Sequence, residues 1–120
     1  MKPEQVAILS KVLATGVPVM VGKYVAGKIR SGKRVDEKSG RTEAYGGFQH
    51  AVLCGREVVN VKQYADRDPE FLQKLLKADG NDSETDKLLP VKPGCDVVVA
   101  IKKFAFEKGA PVVTGELYAL

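Results

Sequence analysis

The segment that decides the fold is 21–64, VGKYVAGKIRSGKRVDEKSGRTEAYGGFQHAVLCGREVVNVKQY. Short runs rich in Val, Ile and Tyr alternate here with glycines, a pattern typical of bent β-strands. The segment holds nine Lys or Arg residues and four Asp or Glu residues, a balance of +5, whereas the whole chain carries +4. The positive charge of the protein therefore lies in this segment and favours a polyanionic partner.

Three strands are predicted in and around this segment. Val17–Arg30 is rich in β-branched residues and contains glycines at which a strand can bend. Ser31–Glu43 is polar and glycine-containing, which predicts a long basic loop. Ala44–Cys54 and Glu57–Tyr64 alternate apolar and polar residues on either side of Gly55-Arg56, which predicts a tight hairpin.

Helical patterns and one further hairpin complete the chain. Pro3–Ala14 repeats apolar residues at helical spacing, and Asp68–Gly80 combines an Asp cap, a Pro at the first helical position and an apolar stripe. Asn81–Lys87 is polar and acidic, so we expect a disordered loop there. Pro93–Leu120 alternates as two strands that turn at Glu107–Pro111.

This order of elements predicts a mainly β protein with the five-stranded Greek-key barrel of the OB-fold. One domain covers 1–120, with an N-terminal helix over 1–16 and the barrel over 21–120, and its second helix lies between strands three and four. Connections between most strands are too short for a parallel βαβ sheet. An SH3-like barrel is the alternative fold.

The residue types needed for catalysis or metal binding are scarce. The chain has one histidine, His50, and two cysteines, Cys54 and Cys95, fewer than a structural zinc site needs. Strand geometry separates His50 from Cys54 by about 13 Å, too far for a nucleophile and its base. We therefore expect a non-enzyme without metal or cofactor. The cysteines are expected to be small buried hydrophobes, although a Cys54–Cys95 disulfide is left open.

Two glycine–lysine repeats resemble a phosphate-binding loop, and no stretch resembles a membrane span. The repeats are 22–28 and 27–33, but Ile29 and Arg34 stand where the motif requires Ser or Thr, and no helix follows. The longest run without a charged residue is Ala44–Gly55, 12 residues, against about 20 for a membrane helix. We expect a cytoplasmic protein without membrane contact.

Cations and aromatic residues are interleaved along the first three predicted strands and the loop. Single-stranded nucleic acid is held by such a combination, because cations contact phosphates and aromatic rings stack on bases. In OB-folds the ligand lies on the face of strands two and three, between the first and fourth loops. The predicted binding residues are Tyr24, Lys28, Arg30, Lys33, Arg34, Lys38, Arg41, Tyr45, Phe48, His50, Lys62, Tyr64 and Lys102.

The direction in which the aromatic rings point decides this prediction. Tyr24 shares a predicted strand face with Lys28 and Arg30. Tyr24 and Tyr45 are expected to be exposed because Gly and Lys residues bracket them. Phe48 could instead point inward, because barrel strands bury one face. For the phenylalanines at 104 and 106, a core position, a dimer contact and stacking all remain open.

Over Gly22–Leu120 the chain resembles single-stranded-DNA-binding OB-fold proteins, in particular the small helix-destabilising proteins of bacteriophages. The resemblance rests on Lys-Ser-Gly-Arg at 38–41 before a strand opened by Tyr45, and on Pro93-Gly94 before a Val-rich strand. Phe104, a short turn and a terminal apolar strand follow. The N-terminal helix is additional to the smallest members. The resemblance implies cooperative, sequence-tolerant coating of single-stranded DNA, as in replication, by a homodimer in the cytoplasm of a cell or of a phage host.

Single-stranded DNA binding is therefore the function that the sequence favours, and two alternatives remain. One is an RNA-binding OB-fold, which would be distinguished by contacts to the 2′-hydroxyl. The other is a protein-interaction or assembly module on the same barrel, such as a structural subunit of a phage or secretion system.

Overall fold

A computed structural model describes the whole chain, residues 1–120. The fold is mainly β, as the sequence predicts, with three helices and five strands. In chain order these elements are α1 (Pro3–Leu13), β1 (Val19–Val35), β2 (Thr42–Cys54), β3 (Glu57–Tyr64), α2 (Pro69–Ala78), α3 (Asp82–Leu88), β4 (Asp96–Glu107) and β5 (Ala110–Ala119).

The strands form one sheet that closes on itself in the order β1-β2-β3-β5-β4. Closure depends on β1, which is 17 residues long and serves two neighbours. Its first part, Val19–Lys23, pairs with β4, and the remainder pairs with β2 up to Val35 opposite Thr42. Neighbouring strands are antiparallel except β3 and β5, which run parallel where Val61 lies opposite Val113.

The interior of the closed sheet is filled mainly by valines from alternate positions. Val52, Val61, Val97, Val99 and Val113 are all fully buried in one cluster. β-Branched side chains suit this role because they pack well on a pleated surface.

One end of the interior is covered by α2. Asp68 caps this helix by accepting a hydrogen bond from the Glu70 amide, and Pro69 begins it, as the sequence predicts. Its buried Leu75 packs with Ile29 and Phe48 of the sheet. Burying one such leucine stabilises the fold by roughly 1.5–3 kcal/mol, so α2 is fixed firmly to the sheet.

Helix α1 covers part of the outer surface of the sheet. Its buried Val12 packs on Val98 and Ala100, the outward-facing residues of β4 that alternate with the interior valines. Helix α1 agrees closely with the predicted Pro3–Ala14. The covered area of β4 is therefore closed to any ligand.

Two segments predicted as loops are regular structure. Ser31–Glu43 was expected to be a long loop, but β1 continues to Val35 and β2 begins at Thr42, which leaves only residues 36–41 as the connection. The polar composition misleads here because this end of the hairpin carries exposed side chains at most positions.

The second wrong loop prediction is Asn81–Lys87, expected to be disordered, which contains most of α3. The Asn81 side chain caps it by accepting from the Glu84 amide. Thr85 is buried and donates to the Ala78 carbonyl, which anchors the short helix to α2. Elsewhere the Cys54–Cys95 disulfide that the sequence left open is absent, since both cysteines are free. The expectation that both are buried is wrong for Cys95, which is exposed, and Cys54 is half-buried.

A β-bulge at Val25 changes which residues of β1 point inward. Tyr24 pairs with Val52 and Ala26 pairs with Ala51, so Val25 has no partner of its own. An extra residue reverses the alternation of faces on either side of it. The prediction that Tyr24 shares the exposed face of Lys28 is therefore wrong: the tyrosine is 1% exposed and lies in the core.

Candidate nucleic-acid interface

A cleft of about 190 Å³ lies on the outer face of β1, β2 and β3. In its centre Arg30, Gly47 and Tyr64 are neighbours in register across the three strands. The adjacent row is formed by Lys28, Gln49 and Lys62. The residues that line the cleft are Arg30, Arg34, Tyr45, Gly47, Phe48, Lys62, Gln63 and Tyr64.

Gly47 forms the floor of this cleft. A Cβ at this position would collide with the Gln63 carbonyl oxygen and lie 2.9 Å from the Tyr64 Cα, so the backbones of β2 and β3 approach too closely for any side chain. The space between Arg30 and Tyr64 is consequently free of protein side chains on β2. A planar ligand group could enter there and contact a guanidinium on one side and a phenol ring on the other.

The two tyrosines of the cleft are presented differently. Tyr64 is 56% exposed at the end of β3, so its ring is open to solvent. Tyr45 is half-buried and lies across its β1 partner Gly32, where a Cβ would be 2.7 Å from the ring carbon Cζ. The Tyr45 ring therefore packs over Gly32, where no side chain is in its way. Its expected exposure is therefore only partly right.

The cleft cations have few acidic partners. Arg30 donates to the Gln49 side-chain oxygen at 3.2 Å, and Lys62 forms an ion pair with Glu107 at 2.8 Å. Neither Lys28 nor Arg34 has a carboxylate within salt-bridge distance. The outer face of β1 thus presents a row of cations that can meet phosphate groups.

Glu107 brings the β4–β5 hairpin to the edge of the cleft. The hydrogen bond and charge of Lys62, followed by the charges of Arg30 and Lys103, hold the pKa of the Glu107 carboxyl below its ordinary value. This carboxylate therefore stays ionised and neutralises part of the cleft. It is a counter-ion that a bound phosphate would displace.

The β1–β2 connection at the rim of the cleft is a well-formed turn. The Asp36 carboxylate accepts from the Lys38 amide at 3.0 Å and from Ser39 Oγ at 3.1 Å, and these bonds hold its pKa below the ordinary value. The Asp36 amide also donates to the Arg41 carbonyl at 2.8 Å. Two predicted cations, Lys38 and Arg41, are thus exposed on this turn.

Two other predicted cations lie apart from the cleft. Lys33 alternates with Arg34 along β1 and so lies on the opposite face of the hairpin. Lys102 forms an ion pair with Glu116 at 3.0 Å and lines a smaller neighbouring depression of about 130 Å³, to which Tyr64 also contributes. The structure therefore places Lys102 next to the site and Lys33 behind it.

Three aromatic residues that were predicted to bind nucleic acid are buried, so the prediction is wrong for them. Tyr24 and His50 are fully enclosed in the core, and Phe48 is 5% exposed, with its ring against Phe71 of α2. None of these three rings can stack on a base without unfolding the sheet. Phe48 lines the inner wall of the cleft.

Sequence reasoning overlooked Gly47, Gln49, Gln63 and Glu107. Gln63 follows Val59 and Val61 at strand spacing, and this alternation places it on the inner face. The side-chain oxygen of Gln63 lies 2.9 Å from His50 Nε2, and the side-chain nitrogen of Gln63 donates to Glu116 at 3.1 Å. Gln63 therefore links the cleft to the core.

No protein-family model, curated protein or solved structure matches this chain. None of the helices has the length and apolar character needed to cross a membrane. No group of three or more His, Cys, Asp or Glu side chains is placed to hold a metal ion.

Proposed function

We propose that the closed sheet is an OB-fold and that it binds single-stranded nucleic acid, with DNA as the favoured polymer, in the cleft on β1, β2 and β3. The strand order, the parallel pairing of β3 with β5 and the helical segment between β3 and β4 support the fold assignment. OB-folds bind ligands on this face, between the β1–β2 and β4–β5 connections.

The observation that carries the proposal is the row Arg30, Gly47 and Tyr64. It combines a cation for phosphate, a floor without a side chain and an exposed ring within one cleft. Arg34 and Lys62 add charge along the same face. Because every base has a π-face, an exposed tyrosine binds bases with little regard to sequence.

Stacking separates this proposal from simple attraction between a basic surface and any polyanion. Tyr64 and Tyr45 supply about 1–3 kcal/mol for each base that they stack on. A polyphosphate or heparin chain offers charge without bases. It should therefore bind more weakly than an oligonucleotide of the same charge.

The test is a fluorescence-polarisation titration of the whole protein with labelled oligo-dT over a range of salt concentrations. Binding should weaken steeply as salt rises, because phosphate contacts release counterions. It should exceed binding to a duplex and to heparin of equal charge. Absence of binding at low salt would contradict the proposal and favour a protein-interaction module.

An RNA oligonucleotide of matching sequence separates DNA from RNA binding. Stronger binding of the RNA would replace DNA by RNA as the partner, because the 2′-hydroxyl is the group that differs. Equal binding would indicate recognition by stacking and phosphate contacts alone.

A further inference from the structure

The C-terminal part of β4 is a free strand edge. β1 pairs with β4 only over Asp96–Ala100, and Pro18 then accepts a hydrogen bond from the Ile101 amide. Beyond Ile101, β4 pairs with β5 on one side and with no strand on the other. The segment Lys103–Glu107 thus has one open edge to which another strand can pair.

The backbone groups that point to this edge belong to Phe104 and Phe106. Phe106 lies opposite Pro111, which has no amide hydrogen, so this pair is not hydrogen-bonded. In an antiparallel ladder hydrogen-bonded and non-hydrogen-bonded pairs alternate. Phe104 therefore has the same orientation, and Lys103, Ala105 and Glu107 direct their backbone groups to β5.

The side chains at this edge include the two most exposed phenylalanines of the protein. Phe104 is 55% exposed and Phe106 is 69% exposed, and their rings contact each other edge to face with centroids 5.3 Å apart. Lys103 and Glu107 lie on the opposite face of the strand, also exposed. An aromatic face and a charged face thus accompany the open backbone.

We propose that a second copy of this chain pairs with the edge, strand to strand and antiparallel, about a twofold axis at Ala105. In this register Phe104 lies opposite Phe106 of the second copy, and Lys103 lies opposite Glu107. The open amide and carbonyl groups of the phenylalanines then form hydrogen-bonded pairs. Four phenylalanine rings meet on one face. On the other face each Glu107, which also binds Lys62 of its own chain through Oε1, forms an ion pair with Lys103 of the second copy.

Charge complementarity favours a second copy of the chain as the strand that pairs with this edge, and it favours this register. The segment reads Lys-Phe-Ala-Phe-Glu, which matches opposite charges and equal aromatic residues when it is paired with itself in reverse. A shift by one hydrogen-bonded step in either direction moves Lys103 opposite Ala105 or Gly109 and loses both ion pairs. Parallel pairing would place equal charges opposite each other, which is unfavourable.

The dimer is tested by sedimentation analysis of the whole protein without nucleic acid, over a wide concentration range. Lys103→Glu alone or Glu107→Lys alone places equal charges opposite each other at two positions. Each should raise the dimer dissociation constant by at least about tenfold. An equimolar mixture of the two variants restores opposite charges and should form a heterodimer as tight as the wild-type dimer.

The matched control is Lys77→Glu on α2, an equal charge change at an exposed position away from the edge, which should leave the dissociation constant unchanged. If the mixture of the two variants forms a tight dimer, the weak dimerisation of each variant alone cannot be due to misfolding. A wild-type chain that stays monomeric at every concentration would overturn the proposal, and so would a dimer that neither charge reversal weakens.

A disulfide tests the position of the axis independently. Ala105 faces itself in a non-hydrogen-bonded pair, where the Cα atoms are about 4.5 Å apart, a separation that a disulfide can span. Ala105→Cys, with Cys54 and Cys95 changed to Ala, should give a covalent dimer under mild oxidation. Lys77→Cys in the same background should not, and equal cross-linking of both variants would overturn the register.

Discussion

Tyr24 Oη lies 2.6 Å from His50 Nδ1 in the interior of the sheet. This hydrogen bond begins a series that continues from His50 to Gln63 and from Gln63 to Glu116. The bond to Glu116 sets the direction of the others. A carboxylate only accepts, so Gln63 turns its amide nitrogen to Glu116 and its oxygen to His50. His50 therefore carries its proton on Nε2, and Nδ1 accepts the hydrogen bond that Tyr24 donates.

Tyr24→Phe should destabilise the fold. It leaves the buried Nδ1 of His50 without a donor, and an unsatisfied buried acceptor costs about 1–3 kcal/mol. Urea denaturation monitored by circular dichroism measures this change in the free energy of unfolding. Tyr118→Phe, at an exposed position, is the control and should have no effect. Equal stability of Tyr24→Phe and wild type would mean that this hydrogen bond does not stabilise the fold.

The stability of the protein should decrease in mild acid because of His50. Burial holds the pKa of its imidazole below the ordinary value, although the bond with Gln63 opposes this shift. In the unfolded chain the imidazole titrates near about 6.5. Below that pH the unfolded state binds the additional proton, so the free energy of unfolding falls by up to about 1.4 kcal/mol per pH unit. Above it, this contribution is constant.

This pH dependence is measured by urea denaturation between about pH 5.5 and pH 8, a range that brackets the unfolded pKa of histidine. His50→Gln should flatten the dependence over that range, whatever its effect on absolute stability. An unchanged slope in this variant would assign the acid sensitivity to other groups.

Tyr64→Ala should weaken oligo-dT binding by about 1–3 kcal/mol, or roughly 5- to 150-fold in affinity, because one stacking ring is lost. Tyr64→Phe keeps the ring and should retain most of the affinity. Tyr118→Ala removes an exposed tyrosine that does not line the cleft and should bind as the wild type does. Polarisation titrations at one salt concentration compare the variants. Equal weakening by both alanine variants would count against the cleft.

Loss of the two arginines should change the salt dependence. Each phosphate contact contributes about 0.7 to the slope of log affinity against log salt for single strands, so Arg30→Ala with Arg34→Ala should reduce it by about 1.4. The double variant of Lys74 and Lys77 to Ala removes equal charge from α2, outside the cleft, and should keep the slope. The same reduction in both would indicate diffuse attraction only.

Gly47→Ala should destabilise the protein by about 1–3 kcal/mol through overpacking. The added methyl group meets the Gln63 carbonyl, a backbone atom that cannot rotate away. Thermal unfolding measures the loss, and oligo-dT titration of the remaining folded protein shows whether the cleft is also narrowed. Full stability of this variant would mean that β2 and β3 can separate at this point.

Regular alternation made most of the fold predictable. The β2–β3 hairpin, α1 and the cap and first turn of α2 lie where the sequence places them, because their apolar spacing and turn residues agree. The prediction of disorder for Asn81–Lys87 was wrong. This polar segment forms a helix that depends on the Asn81 cap and on the hydrogen bond of Thr85 to Ala78. Amino-acid composition alone does not predict such contacts.

The site was predictable where a strand is regular and not where it is bulged. Lys28, Arg30, Lys62 and Tyr64 share the outer face as strand spacing requires. Tyr24 is buried because one unpaired residue, Val25, reverses the faces of β1, and no residue type marks that position. The burial of His50 could have been predicted from Val52, an apolar residue on the same face of β2. His50 was instead predicted to bind nucleic acid because aromatic residues precede it on this strand.

Helix α1 covers a part of the sheet that lies apart from the cleft. The helix occupies the outward side chains of β4, Val98 and Ala100, while the cleft lies across β1, β2 and β3. Under the proposed function, α1 therefore prevents a second extended strand from lying across β4 at these residues. Two strands would instead be brought together by two copies of the chain, one strand in each cleft.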